Sequence, residues 1–351
     1  MKKIRVLVVD DSAFMRKALR EILESDPEIE VIDTARNGKE ALEKIASGRP
    51  DVVTLDINMP VMDGRTALAR IMEENPLPVV VVSSLTKEEA PITMELLDMG
   101  AFDYVPKPSG TVSLDIHKVA GEIVEKVKAA YRYRYRVTRR KPLRRELRTP
   151  HKPEGRKTAR FVVAIGISTG GPATLIDILQ ECEADEESAY LVVQHMPPQF
   201  TPSLALRLSE YTPIRFHHAS HGQAILGGYG YLAPGGWHMK VTPQKRIKLF
   251  KDDSYIYYPS VDVLFSSVAE VYCPNAVGVL LTGIGRDGAE GLLKMRKRGC
   301  VTIAESEETA VVYGMPAAAK ELGAAMEILP SYRIASAIRR HLRKLREKTP
   351  S

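Results

Sequence analysis

Between Ile4 and Val105, five short apolar or β-branched runs alternate with stretches of helical spacing, and this rhythm sharply limits the fold. The runs are Ile4–Val9, Val31–Ala35, Val52–Leu55, Val79–Val82 and Phe102–Val105. Phe14, Ala18, Leu19 and Ile22 mark the first intervening helix, and Met94, Leu96 and Leu97 help mark the fourth. Strands joined by helices run parallel, and a parallel sheet needs apolar cover on both faces. Leu114–Ala130 supplies a fifth helix, with Ile116, Val119, Ile123 and Val127 along one face. The pattern predicts a doubly wound α/β sheet whose ligands sit at the carboxyl ends of its strands.

Those ends carry a distinctive set of side chains. Strand one ends in Asp10-Asp11, strand three in Asp56, strand four in Ser83, and strand five leads to Lys107-Pro108. Carboxylates converging on one rim repel unless a cation compensates, and an all-oxygen ligand set suits Mg²⁺. A hydroxyl and a lysine opposite them suit the oxygens of a phosphoryl group. Singly, these residues also fit helix caps and turns; together, each at the end of its own strand, they favour a site.

Asp10-Asp11, Asp56-Ile57-Asn58-Met59-Pro60 with Asp63-Gly64, Ser83 and Lys107-Pro108 resemble the phosphoacceptor receiver domain of bacterial two-component response regulators. The resemblance spans residues 1–125 and implies a flavodoxin-like fold. It implies Asp56 as phosphoacceptor and Mg²⁺ held by Asp10, Asp11, Asp56 and the Asn58 carbonyl. It also implies Ser83 and Lys107 as reporters of the phosphoryl state, and Tyr104 as an aromatic switch.

Charge sets this region apart from the rest of the chain. Residues 1–130 carry 17 Lys+Arg against 23 Asp+Glu, residues 131–160 carry 13 against 2, and residues 161–351 carry 20 against 19. The chain's net +6 therefore comes from one short segment. That segment opens with Tyr131-Arg132-Tyr133-Arg134-Tyr135-Arg136 and continues through Arg139-Arg140-Lys141-Pro142, reading as a solvated basic linker over residues 126–158. A nucleic-acid binder spreads positive charge over a folded face, so no nucleic acid is expected. Contact between the linker and an acidic partner surface, including the receiver itself, fits better.

Cys182, Cys273 and Cys300 show no disulfide framework or zinc spacing; they read as core fillers in a reducing compartment. The first apolar run ends at Asp10-Asp11, too soon for a signal peptide, and no stretch matches a membrane span. A cytoplasmic, monomeric protein without membrane insertion is expected.

A second strand–helix unit begins at Phe161–Ile165 and is expected over residues 159–348. Its first strand runs into Gly166-Ile167-Ser168-Thr169-Gly170-Gly171, a turn that presents a hydroxyl between glycines, followed by a helix from Ala173 to Leu179. Strand Ala189–Val193 ends in Gln194-His195-Met196-Pro197, and strand Ala276–Leu281 ends in Thr282-Gly283-Ile284-Gly285-Arg286-Asp287-Gly288. A parallel sheet brings Ser168, His195 and Asp287 to one rim, as serine-nucleophile chemistry requires. Ser168 occupies the place of the second glycine in a dinucleotide fingerprint, which argues against that ligand. The α/β-hydrolase elbow also fits poorly, because that fold orders its triad serine, acid, histidine. A Rossmann-like serine hydrolase remains.

Ser168-Thr169-Gly170-Gly171-Pro172, Gln194-His195-Met196-Pro197 and Thr282–Gly288 together resemble the chemotaxis receptor protein-glutamate methylesterase family. With the receiver in front, the likeness covers the chain except its linker. It implies Ser168 as nucleophile, His195 as general base and Asp287 as its orienting acid. Backbone amides of Thr169 and Ile284 would form the oxyanion hole, although methionine is more usual than Ile284 there. The implied substrates are γ-methyl-glutamyl side chains of methyl-accepting chemotaxis receptors, with glutamine deamidation as a second activity. No cofactor is implied for the esterase step. A chemotaxis histidine kinase is the implied phosphodonor, and the unphosphorylated receiver is expected to cover the Ser168 rim. A receiver-controlled binding module on a degenerate hydrolase fold is the alternative.

Of the remaining features, His217, His218 and His221 read as surface or partly buried polar residues. His238 fits either a cleft lining or a hairpin end. The basic stretch around Ile338, Leu342 and Leu345 reads as the last helix of the second domain.

Overall fold

Two compact units, Met1–Arg144 and Arg145–Ser351, divide the chain. The computed structural model describes residues 3–84, 86, 88–107, 114–137, 157–252 and 254–348. Pro108 and the central linker, residues 138–156, lie outside the described residues.

The first unit alternates strand and helix throughout. Its strands are β1 (Ile4–Val9), β2 (Ile29–Ala35), β3 (Val52–Asp56), β4 (Val79–Ser83) and β5 (Asp103–Pro106). Its helices are α1 (Ala13–Glu24), α2 (Gly38–Gly48), α3 (Gly64–Glu74), α4 (Glu89–Asp98) and α5 (Leu114–Val137). All pairings are parallel, in the order β2-β1-β3-β4-β5. That is the flavodoxin-like order, with β1 and β3 meeting where the winding reverses. The central strands are buried on both faces, so β3 and β4 are buried at every position rather than alternately.

Two expectations change here. Phe14 is exposed; α1 buries Leu19, as read, together with Leu23. Helix α5 does not stop at Ala130 but runs to Val137, so Tyr131–Arg136 belongs to the helix and not to an extended linker. Tyr133 is buried, its ring 5.5 Å from that of Phe102, and this packing ties the extended helix to the unit.

The second unit contains a seven-stranded sheet and a separate hairpin. Its elements begin β6 (Phe161–Ile167), α6 (Gly171–Leu179), β7 (Ser188–Gln194), α7 (Thr201–Tyr211), β8 (Arg215–His218) and β9 (Tyr229–Leu232). The antiparallel ribbon β10 (His238–Val241) and β11 (Ile247–Phe250) comes next, then α8 (Val261–Val271) and β12 (Ala276–Leu280). The chain ends through α9 (Ala289–Lys297), β13 (Val301–Glu305), α10 (Met315–Glu321), β14 (Glu327–Leu329) and α11 (Ser331–Lys348). The order is β14-β13-β12-β6-β7-β9-β8, all parallel. Both expected parallel sheets are therefore present. Strand β6 lies between β12 and β7, so the ends of three buried strands open on one rim beside the point where strand order reverses.

Helix α11 buries Ile334, Ala335, Ala337, Ile338 and Leu342, and packs on α6 and β13. It is the unit's final helix, as expected. The cysteines differ from expectation: Cys273 and Cys300 form a disulfide, while Cys182 alone is a buried free thiol. The partners are 27 residues apart, one after α8 and the other just before β13. Only the folded sheet brings them together, which is why their spacing carried no signal. Burial pushes the Cys182 thiol up to about 12, as suits an inert core filler.

Candidate active site and phosphoacceptor site

Ser168 comes directly after the last residue of β6, and its backbone is held from three directions. Its amide donates to Thr282 O at 2.9 Å, its carbonyl accepts from Gly171 N at 2.8 Å, and Gln194 Nε2 reaches the same carbonyl at 2.9 Å. Gln194 also donates to His195 O at 3.0 Å, so one buried amide fixes the backbones of both residues. Two glycines make the approach possible. A Cβ at Gly171 would lie 1.9 Å from Gln194 Oε1, and one at Gly283 would lie 2.7 Å from Ser168 Cβ.

His195 extends from the end of β7 toward Asp287. Its Nε2 lies 2.8 Å from Asp287 Oδ2, and its buried Nδ1 has no hydrogen-bond partner among the described residues. A carboxylate at Nε2 favours the tautomer with the proton there, leaving the lone pair on Nδ1.

Asp287 is buried and saturated with donors. Oδ1 accepts from Ser260 Oγ at 2.8 Å and Asp262 N at 3.1 Å, while Oδ2 accepts from Val261 N at 2.6 Å besides His195. Those amides open α8, where unsatisfied N–H groups and the helix dipole favour an anion. Burial pushes the Asp287 carboxyl upward, but the His195 interaction and the two amides outweigh it and hold it below the ordinary value. Neighbouring Asp262 moves the other way: burial raises it to about 6, with the Asp287 charge adding to the shift.

Thr282 links the serine turn to the third strand. Its hydroxyl donates to Thr169 O at 2.9 Å and accepts from Val312 N at 2.9 Å. The amides of Thr169 and Ile284 donate no hydrogen bond among the described residues.

In the first unit, Asp10 and Asp56 are buried and Asp11 is exposed. Each offers one carboxylate oxygen, and these oxygens lie within 4.8 Å of one another. Lys107 Nζ lies 2.8 Å from Asp56 Oδ1 and 3.2 Å from Asp10 Oδ2. Asp10 Oδ2 is thus held by the Lys107 ion pair alone, while the buried Oδ2 of Asp56 has no hydrogen-bond partner among the described residues. Burial pushes Asp56 up to about 6, assisted by the Asp10 charge and opposed by Lys107. Burial also raises Asp10, against the pull of Lys107. Gly64 is required here, because a Cβ would lie 2.1 Å from Asp56 O.

Ser83 is buried beside this cluster and donates to Glu89 Oε2 at 2.9 Å. The Asn58 side chain donates to Glu89 Oε1 at 2.8 Å. Tyr104 is buried, with Lys126 Nζ 4.9 Å from its ring centroid and 2.6 Å from its carbonyl oxygen.

The response regulator receiver domain family matches residues 6–117, and the CheB methylesterase family matches residues 163–338. A protein-glutamate methylesterase/protein-glutamine glutaminase of Caldanaerobacter subterraneus subsp. tengcongensis is 48% identical over 99% of this chain and 98% of its own. The chain belongs to the CheB methylesterase family. A protein of the same description from Symbiobacterium thermophilum is also 48% identical, over 97% of each chain. The crystal structure of the Thermotoga maritima CheB methylesterase catalytic domain is 36% identical, covering 54% of this chain and all of that one, with a TM-score of 0.49.

Within this CheB-family chain, sequence reasoning missed Ser260, Tyr257 and Glu89 as neighbours of the two sites. Tyr257 stacks on His195 with centroids 4.5 Å apart and planes 1° from parallel. Only Glu89 had a local signal: Thr86-x-x-Glu89 has capping-box spacing, and Thr86 Oγ1 accepts from Glu89 N at 3.1 Å. His238 neither lines an open cleft nor merely ends a hairpin. It is buried, and its Nδ1 accepts from Ser260 N at 3.2 Å, bracing the residue that grips Asp287.

Proposed function

We propose that this chain is a phosphorylation-activated protein-glutamate methylesterase that also deamidates glutamine, acting on methyl-accepting chemotaxis receptors. The observation that carries the reading is the single rim shared by Ser168, His195 and the donor-saturated Asp287, in a chain that also bears a receiver. Ser168 Oγ attacks the γ-carbonyl carbon of a methylated glutamate while His195 Nδ1 takes its proton. Asp287 keeps the imidazole oriented and stabilises its positive charge. The tetrahedral oxyanion sits against the Thr169 and Ile284 amides, which are free of internal partners among the described residues. Only the amide of Ile284 is used, so its departure from the usual methionine leaves this role intact.

Collapse of the intermediate breaks the C–O bond, and His195 returns its proton to the departing methanol. Water then attacks the acyl-enzyme with His195 again as base, freeing the glutamate carboxylate and Ser168. With glutamine the same steps release ammonia, more slowly because an amide is the poorer electrophile. The esterase steps use protein groups alone.

Asp56 is the proposed phosphoacceptor, with a chemotaxis histidine kinase as donor. The unsatisfied Oδ2 of Asp56, with carboxylate oxygens of Asp10, Asp11 and Asp56 within 4.8 Å of one another, fits an oxygen-liganded divalent cation such as Mg²⁺. Such an ion, completed by the Asn58 carbonyl, would offset charge on the phosphoryl oxygens. Ser83, Lys107 and Tyr104 report the phosphorylated state. The interdomain boundary is placed in the basic segment after α5.

Among the described residues, no helix is long and apolar enough to cross a membrane. We place the protein in the cytoplasm as a monomer that binds no nucleic acid. The direct test of activity is methanol release from methylated receptor fragments, for which Ser168→Ala protein is the blank.

A further inference from the structure

We infer that Tyr257 is a positioning residue for His195, holding the plane of the imidazole while Asp287 holds one edge. The inference rests on the serine-hydrolase reading above. Among the described residues, the ring has one hydrogen-bond anchor, Nε2 on Asp287, because Nδ1 has no partner. One hydrogen bond leaves a ring able to pivot about it. A parallel aromatic face at 4.5 Å removes that freedom, keeping the Nδ1 lone pair directed as the Asp287 contact sets it.

The same loop controls the other edge. Tyr257 lies three residues before Ser260, whose hydroxyl donates to Asp287 at 2.8 Å. The far end of Tyr257 meets the loop that carries Ile284: a Cβ at Gly285 would lie 2.5 Å from Tyr257 Oη. The side chain thus spans from the proposed base to the proposed oxyanion loop. When His195 takes the serine proton, its positive charge forms against the electron-rich face of the tyrosine ring, an attraction that exists only in the charged state. Burial and then the Asp287 charge raise the Tyr257 phenol, so at neutral pH it stays protonated and leaves proton abstraction to His195.

The test is the reaction of full-length protein with a fluorophosphonate, with a small-molecule phosphodonor and Mg²⁺ present throughout. In this reaction the Ser168 Oγ–P bond forms, fluoride leaves and His195 takes the serine proton. Tyr257→Leu should lower the saturating labelling rate about tenfold while reagent affinity stays within about twofold; Tyr257→Phe should keep the rate within about twofold. Tyr257→Met, longer than leucine and unbranched but without a flat face, should lose as much as leucine. Wild-type rates in the leucine and methionine proteins would overturn the role of Tyr257 alone. So would a loss in Tyr257→Phe equal to that in Tyr257→Leu, which would place the effect on the hydroxyl. If wild-type protein labels no faster than Ser168→Ala, the hydrolase reading falls and the positioning role falls with it.

Discussion

The receiver and the catalytic unit each gather buried carboxylates at the rim of a parallel sheet, yet treat them in opposite ways. At the receiver rim, Asp56 Oδ2 lacks a partner among the described residues, Asp10 Oδ2 has only Lys107, and burial pushes Asp56 up to about 6. At the catalytic rim, Asp287 collects four donors within 3.1 Å and is held below its ordinary value although burial pushes it upward. The difference lies in what the next element offers. Asp287 meets two amides of α8, a hydroxyl and His195, whereas Asp10 and Asp56 each accept from one backbone amide and share one lysine. A carboxylate left short of partners can receive a cation or a phosphoryl group. One already saturated is fitted to orient a neighbour.

Asp287→Asn should produce the largest effect and test that contrast hardest. It removes the charge that stabilises the His195 imidazolium and should lower kcat for ester hydrolysis about 10³–10⁴-fold. It should also lower the thermal midpoint of the catalytic unit, since the donors around Oδ1 and Oδ2 were arranged for a carboxylate. Asp56→Asn should act oppositely on stability. Without divalent cations it relieves charge crowding and should raise the receiver's midpoint, through a stability gain on the order of 1 kcal/mol. In activity assays its ratio of rates with and without phosphodonor should fall from about ten to about one. A tenfold ratio corresponds to only ~1.4 kcal/mol of differential stabilisation, within the reach of a domain switch. If both asparagine variants shifted stability in the same direction, the two rims would not differ as described.

Smaller effects sharpen the catalytic side. Gln194→Leu leaves the Ser168 and His195 carbonyls without their shared donor, and should reduce kcat several-fold to about tenfold with KM little changed. A change in KM alone would show that Gln194 acts in binding instead. The smallest effect is a pH dependence of stability. Burial lowers the pKa of His238, so the unfolded chain takes the proton more readily than the folded one. This contribution is complete above the ordinary histidine value and declines as pH falls below it, because a protonated Nδ1 can no longer accept from Ser260 N. The thermal midpoint should therefore drop on acidification, more steeply in wild-type protein than in His238→Gln. His217 and His218, also lowered by burial, slope the same way, whereas Asp56 and Asp262, raised to about 6, slope oppositely, so the difference between wild type and His238→Gln is the quantity that reports His238.

Eight strands, β1–β7 and β12, were legible because buried parallel strands are rich in apolar residues, and their observed bounds lie within two residues of those read from the sequence; β8–β11, β13 and β14 were not read. Most residues of both sites were legible because they stand at the carboxyl ends of such strands or in the turns that follow them. What completes the sites was not. The grip on Asp287 comes from backbone amides of Val261 and Asp262, which every residue type carries, so no side chain announces it. Tyr257 reaches His195 from 62 positions away along the chain, through a loop with no strand or helix pattern. The Cys273–Cys300 pairing likewise depended on long-range packing. The end of α5 was misplaced for a different reason: arginine–tyrosine alternation suggested extended linker, while the burial of Tyr133 continued the helix.

The most direct test of the account measures methanol released from γ-methylated receptor fragments by the full-length chain, with and without a phosphodonor. Wild-type protein should release methanol about ten times faster when Asp56 is phosphorylated, and Ser168→Ala should release none above the blank in either state. Equal release by wild-type and Ser168→Ala protein, with Asp56 phosphorylation confirmed, would contradict it.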